Sequence, residues 1–110
     1  MPIVVQNQTI ETNKEGFLLE PSLWTPAVGN ALAAAHSIEL SDAHWEVLNL
    51  LRDFCDRGNE PPSMRHLSRE VRNQLGADKA KSIYLMRLFG SSPAKMAARL
   101  AGLPKPKNCL

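Results

Sequence analysis

The chain has 110 residues, 44% hydrophobic and 22% charged, a composition that suits one globular core and excludes a wholly disordered or collagen-like chain. No apolar run approaches the roughly 18 residues of a membrane span, and the start, Met1-Pro2-Ile3-Val4-Val5-Gln6, has neither a basic n-region nor an apolar h-region, so a cytoplasmic location is expected. The net charge of +2 hides a partition: residues 1–56 carry two basic and eight acidic side chains, residues 57–110 eleven basic and three acidic. The basic half either meets an acidic partner such as RNA, DNA or an acidic protein surface, or complements the acidic half within one fold.

In chain order, the β-branched residues Ile3, Val4, Val5, Thr9 and Ile10, followed by Phe17-Leu18-Leu19 beyond the turn-prone Asn13-Lys14-Glu15-Gly16, predict a small hairpin region over residues 1–22. Helices follow over 25–102. Thr25 before Pro26 opens the first, which runs to about Ala35. Ser41 caps the second, with Val47, Leu48, Leu51, Phe54 and Cys55 on one inward stripe and Gly58 as its stop, which makes it the expected central core helix. After Pro61-Pro62, Ser63 caps a third helix with Met64, Leu67, Val71 and Leu75 inward, ending at Gly76. Asp78 caps a fourth through Ile83, Leu85 and Leu88 to Gly90, and Ser92-Pro93 opens a fifth that closes at Gly102. The expected fold is α+β, mainly α, in one domain spanning 1–110. Residues 103–110, with Pro104 and Pro106, read as an extended mobile arm; at about 3.1 Å per residue it reaches roughly 20 Å from the helix end.

Cys55 and Cys109 are too few for a disulfide framework and have no close metal-type partner. Cys55, on the core stripe, reads as a small buried hydrophobe. Cys109 stands where a thiol packs poorly, so it is either a reactive group carried on an arm, beside Lys105 and Lys107, or an incidental cysteine in a frayed tail. His36, His44 and His66 lack zinc spacing and read as surface or capping residues, so no metal is expected. No phosphate-cradling glycine loop, nucleophile elbow or singled-out carboxylate pair is present. The third and fourth helices have the length pattern of a helix-turn-helix, with Arg65, Arg69 and Arg72 forming a basic face, while the fourth lacks the Asn or Gln that reads adenine.

The ending Ala101-Gly102-Leu103-Pro104-Lys105-Pro106-Lys107-Asn108-Cys109-Leu110 resembles that of the TusE and DsrC family of sulfur-relay proteins. Gly16-Phe17-Leu18-Leu19-Glu20-Pro21, Trp24, Leu40-Ser41-Asp42-Ala43-His44-Trp45-Glu46-Val47, Pro61-Pro62, Tyr84-Leu85 and Pro93-Ala94-Lys95 also look like family segments, in family order. The resemblance implies a hairpin on an orthogonal helical bundle, and a penultimate cysteine, here Cys109, that accepts sulfur as a persulfide and hands it on. It implies an upstream donor complex of the TusBCD or DsrEFH kind. It also implies a downstream acceptor, either an MnmA-like tRNA thiolase making 2-thiouridine or an enzyme of the sulfite reductase type. The DsrC type carries a second arm cysteine just before Arg99; here that position is Ala98, which leaves a single-thiol carrier. Gly90-Ser91-Ser92 replaces the family's Pro-Gly-Gly, and Met96 stands where Gln is usual.

The function expected on this basis is a cysteine-persulfide sulfurtransferase in the tRNA thiolation relay, needing no cofactor. Cys109 would be the catalytic thiol, with Lys105, Lys107 and Arg99 as arm or docking support. Arg65, Arg69, Arg72 and Lys95, with Arg99, would face an acidic partner or tRNA. The rivals are a single-cysteine DsrC-like protein of dissimilatory sulfur metabolism, a helix-turn-helix DNA-binding regulator, and a non-catalytic docking module.

Overall fold

The computed structural model describes residues 2–107. β1 (Ile3–Val5) and β2 (Gln8–Ile10) pair antiparallel, Ile3 opposite Ile10 and Val5 opposite Gln8. The two-residue turn between them holds Gln6 and Asn7 at φ 50° and 67°, the left-handed pair that matches a hairpin's twist. A single bridge, Thr12 to Leu18, closes the next loop, and a 3-10 turn at Pro21–Leu23 leads into the bundle.

Five helices follow: α1 (Pro26–Ala35), α2 (Asp42–Asp56), α3 (Met64–Leu75), α4 (Ser82–Phe89) and α5 (Pro93–Leu100). Thr25 caps α1 as its sequence requires, its Oγ1 accepting from the Val28 N–H at 3.2 Å. At the start of α2, His44 Nδ1 accepts from the Ser41 N–H at 3.0 Å; its Nε2 therefore carries the proton and donates to the Leu88 carbonyl at 2.7 Å. His44 is thus a capping residue, but a buried one that ties α2 to the end of α4, and not a surface histidine.

Three further expectations change. Asp78 does not cap the fourth helix: Asp78–Ala80 is a 3-10 turn, Lys81 is extended at ψ 139°, and α4 begins at Ser82. With that start, Leu85 and Phe89 face the core four residues apart, and Ile83 and Met86 point outward at 61% and 46% exposure. Cys55 is half-buried, because the last turn of α2 extends past the elements that cover Val47, Leu48 and Leu51. Finally, α2 is not the hub. α5 packs against each of α1, α2, α3 and α4. Its buried Ala94, Ala97 and Ala98, with Ala101 just beyond it, are small enough to let four neighbours approach.

Candidate functional site

The site is the root of the arm, where α5 ends, together with the surface over which residues 103–107 run. Ala101 leaves the helix at φ −81° and Gly102 turns the chain at φ +74°, in the left-handed region. Glycine is required there twice over, since a Cβ would also collide with Cβ, Cγ and Cδ1 of Trp24. Trp24 is fixed in turn. Its Nε1 donates to the Leu100 carbonyl at 2.9 Å, its ring meets Trp45 edge-on with centroids 6.3 Å apart, and Arg52 Cζ lies 3.9 Å over it. The same Arg52 donates from Nη1 to the Ala101 carbonyl at 2.6 Å. Two carbonyls at the end of α5, which the helix itself leaves without partners, are therefore held by side chains from the α1 entry and from α2.

Beyond this clamp the chain has neither helix nor strand from Leu103 to Pro106, as its two prolines dictate. Pro106 is buried, while Lys105 and Lys107 reach out to carboxylates on the body. Lys105 Nζ lies 3.3 Å from Glu15 Oε1, and Lys107 Nζ lies 3.2 Å from Glu60 Oε1. The second pair has side chains 77% and 70% exposed, so solvent and salt screen it heavily. Glu15 also accepts from Lys95 of α5 at 2.8 Å, and the two ammonium groups, Lys95 first, hold its carboxyl below the usual carboxylate range.

Glu15 is presented by a loop built for the purpose. Asn13 Oδ1 accepts from the N–H groups of Glu15 and Phe17 at 2.9 and 3.0 Å, and Gly16 at φ +88° brings the backbone against His36 Nε2 and the Arg99 side chain. Burial, and then the Arg99 charge, push the His36 pKa below its ordinary value.

The predicted site residues are therefore dispersed. Cys109 lies outside the described residues. Lys105 and Lys107 run along the body beside the clamp. Arg65, Arg69 and Arg72 stand together on the exposed face of α3, and among the described residues none of them forms an ion pair. Lys95 is mostly covered and bonded to Glu15. Arg99 does not belong to an open basic face, since it is only 8% exposed, with Cζ 5.0 Å over the Phe17 ring and Nη1 donating to Met96 Sδ at 3.4 Å. Its carbon stem continues the α5 core stripe, and burial lowers its pKa.

Sequence reading missed the clamp. Trp24 was legible only as a family-like residue and Arg52 only as a charge, since contacts spanning 76 and 49 positions leave no local pattern. Cys55, the thiol within the described residues, is held above its ordinary pKa by burial and then by Asp56, so it is a poor nucleophile at neutral pH. Among the described residues no group of three His, Cys, Asp or Glu side chains could hold a metal, and no helix is long and apolar enough to cross a membrane.

A family model described as DsrC like protein matches residues 4–110. The chain is 48% identical over 101 residues to the sulfurtransferase TusE homolog of Haemophilus influenzae, covering 92% of this chain and 93% of that one. It is 41% identical over 108 residues to sulfurtransferase TusE of Escherichia coli, covering 98% and 99%. Among solved structures, DsrC of Allochromatium vinosum superposes with a TM-score of 0.89 at 37% identity, with both chains fully covered. The oxidized γ-subunit of dissimilatory sulfite reductase, DsrC, from Archaeoglobus fulgidus gives 0.85 at 31% identity, again over the whole of both chains.

Proposed function

Because the chain belongs to the DsrC-like protein family, we propose that it is a sulfurtransferase of the TusE type, carrying sulfur as a persulfide on Cys109. The observation that carries this reading is the near end-to-end match to relatives named sulfurtransferase TusE, together with a family match over residues 4–110 that takes in the Cys109 tail. Ala98, fully buried on α5, supports a carrier with one arm thiol, since no second cysteine stands at that position to close an arm disulfide.

The transfer is an exchange between sulfur atoms. The Cys109 thiolate attacks the outer sulfur of a donor cysteine persulfide, a new S–S bond forms, the donor's S–S bond breaks, and the donor cysteine leaves as a thiolate. A nucleophile on the acceptor then attacks the outer sulfur of the Cys109 persulfide and regenerates the thiolate. Neither step needs an external oxidant or reductant. The donor is an upstream complex of the TusBCD or DsrEFH kind, and the acceptor is a tRNA thiolase of the MnmA kind.

The contacts around the arm fit this task. The Arg52–Trp24–Gly102 clamp gives the arm a rigid origin, and the screened lysine pairs hold it weakly enough to exchange for a partner's carboxylates. Reconstitution with radiolabelled cysteine, a cysteine desulfurase, the donor complex, the thiolase and tRNA tests the reading. Label should reach tRNA with the wild-type protein and with Cys55→Ser, and fail to reach it with Cys109→Ser. Label reaching tRNA equally well with Cys109→Ser would overturn it, and label passing instead to a sulfite reductase would move the protein to dissimilatory sulfur metabolism.

A further inference from the structure

A cleft of about 490 Å³ opens between the α4–α5 connection and the end of α1. Arg87, Lys95 and Arg99 line it together with His36, Ser91 and Ser92, and among the described residues no carboxylate does. Of these cations Lys95 pairs with Glu15, a carboxylate it shares with Lys105.

Arg99 is the informative member. It is nine-tenths buried, it makes no salt bridge among the described residues, and its Nε has no hydrogen-bond partner among them. Its polar contact is to the Met96 sulfur, a weak acceptor. A buried guanidinium without an anion is costly, and proteins keep such groups where something supplies the missing charge. The α5 N-terminus opens on the same cleft. Ser92, its N-cap residue, makes no capping hydrogen bond, so the positive end of the helix dipole is left for another group.

We propose that this cleft is a binding site for a small tetrahedral oxyanion, of the size and charge of sulfate or thiosulfate, held by Arg99, Arg87 and Lys95 over the start of α5. A small ion fits better than a nucleic-acid backbone, because Arg99 is nine-tenths buried within the cleft, whereas the arginines that stand open to a long polyanion are those on the exposed face of α3. The site goes beyond the carrier reading and stands whether or not Cys109 carries sulfur.

The test is an NMR titration of the full-length, 15N-labelled protein with potassium sulfate and with potassium thiosulfate, against potassium chloride at matched ionic strength. Saturable shifts are expected for the amides of residues 90–96 and for the Arg99 side-chain Nε–H, with a Kd near or below about 1 mM. Arg99→Lys, which keeps the charge but loses the fork, should weaken binding roughly tenfold. The exposed Arg87→Gln, which leaves the core intact, should weaken it severalfold and keeps the test decisive if Arg99→Lys fails to fold. Shifts that do not saturate, that follow Arg65, Arg69 and Arg72 instead, or that are unchanged in Arg87→Gln would overturn the proposal.

Discussion

Gly102 has neither the backbone conformation nor the space for a side chain, because its φ is +74° and Trp24 fills the place of a Cβ. Gly102→Ala should therefore lower stability by about 2–4 kcal/mol in denaturant unfolding, the sum of a left-handed alanine and an overpacked contact. Trp24→Phe keeps an aromatic ring but loses part of the indole's packing against Arg52 and Trp45 and the bond to the Leu100 carbonyl, and should cost about 2 kcal/mol. His36 gives a pH signature. Its folded-state pKa lies below the ordinary 6.5, so the unfolded chain binds the proton first and stability falls as pH drops below 6.5, by at most about 1.4 kcal/mol per pH unit for one proton. His36→Gln should flatten that part of the stability–pH curve, and an unchanged slope would show that His36 is not the group responsible.

At the scale of elements, local chemistry was readable and long-range packing was not. Thr25-Pro26, Ser41, Pro61-Pro62, Gly76 and Ser92-Pro93 mark helix boundaries through caps and breakers that act within a few residues, and the helices lie where those signals put them, except at Asp78. There Lys81, in an extended conformation, separates the 3-10 turn from α4 and resets the phase, so Ile83 turns outward. The hub position of α5 was hidden because alanines carry little hydrophobic signal, although their small size is what lets four helices meet there. The same division holds for the site. The proline-paired arm could be read from the sequence, whereas the clamp that roots it and the carboxylates that tether it come from the entry to α1, from α2, from the Glu15 loop and from the α2–α3 connection. Replacing both tethers, Glu15→Gln with Glu60→Gln, should lower the NMR order parameters of Lys105 and Lys107, with a modest loss of stability from the Glu15 partner of Lys95. Since Glu15 is held below its ordinary pKa of 4.5, acidification through that lowered value should release Lys105 in the wild type in the same way. Order parameters that do not move in either experiment would mean that Pro106 alone holds the arm.

Across the whole molecule, part of the charge partition is used within the fold and part of it stays on the surface. Lys79–Glu46 at 2.8 Å, Lys95–Glu15 and Lys105–Glu15 join the basic half to the acidic half within the fold. Arg65, Arg69 and Arg72 remain on an outer face of α3, and a partner with an acidic surface would be steered by them. Their joint replacement by Gln should leave unfolding unaffected and reduce the salt dependence of association with the donor complex or the tRNA-bound acceptor. An unaltered salt dependence would place the docking surface elsewhere, with the exposed Ile83 and Met86 of α4 the next surface to examine.

The most direct test of the carrier mechanism is intact-protein and peptide mass spectrometry after exposure to a cysteine desulfurase, cysteine and the donor complex. One added sulfur, removable by reductant, should map to the C-terminal peptide containing Cys109, persist in Cys55→Ser and vanish in Cys109→Ser. A sulfur found on Cys55, or none on Cys109 while the donor complex is itself persulfidated, would contradict the mechanism.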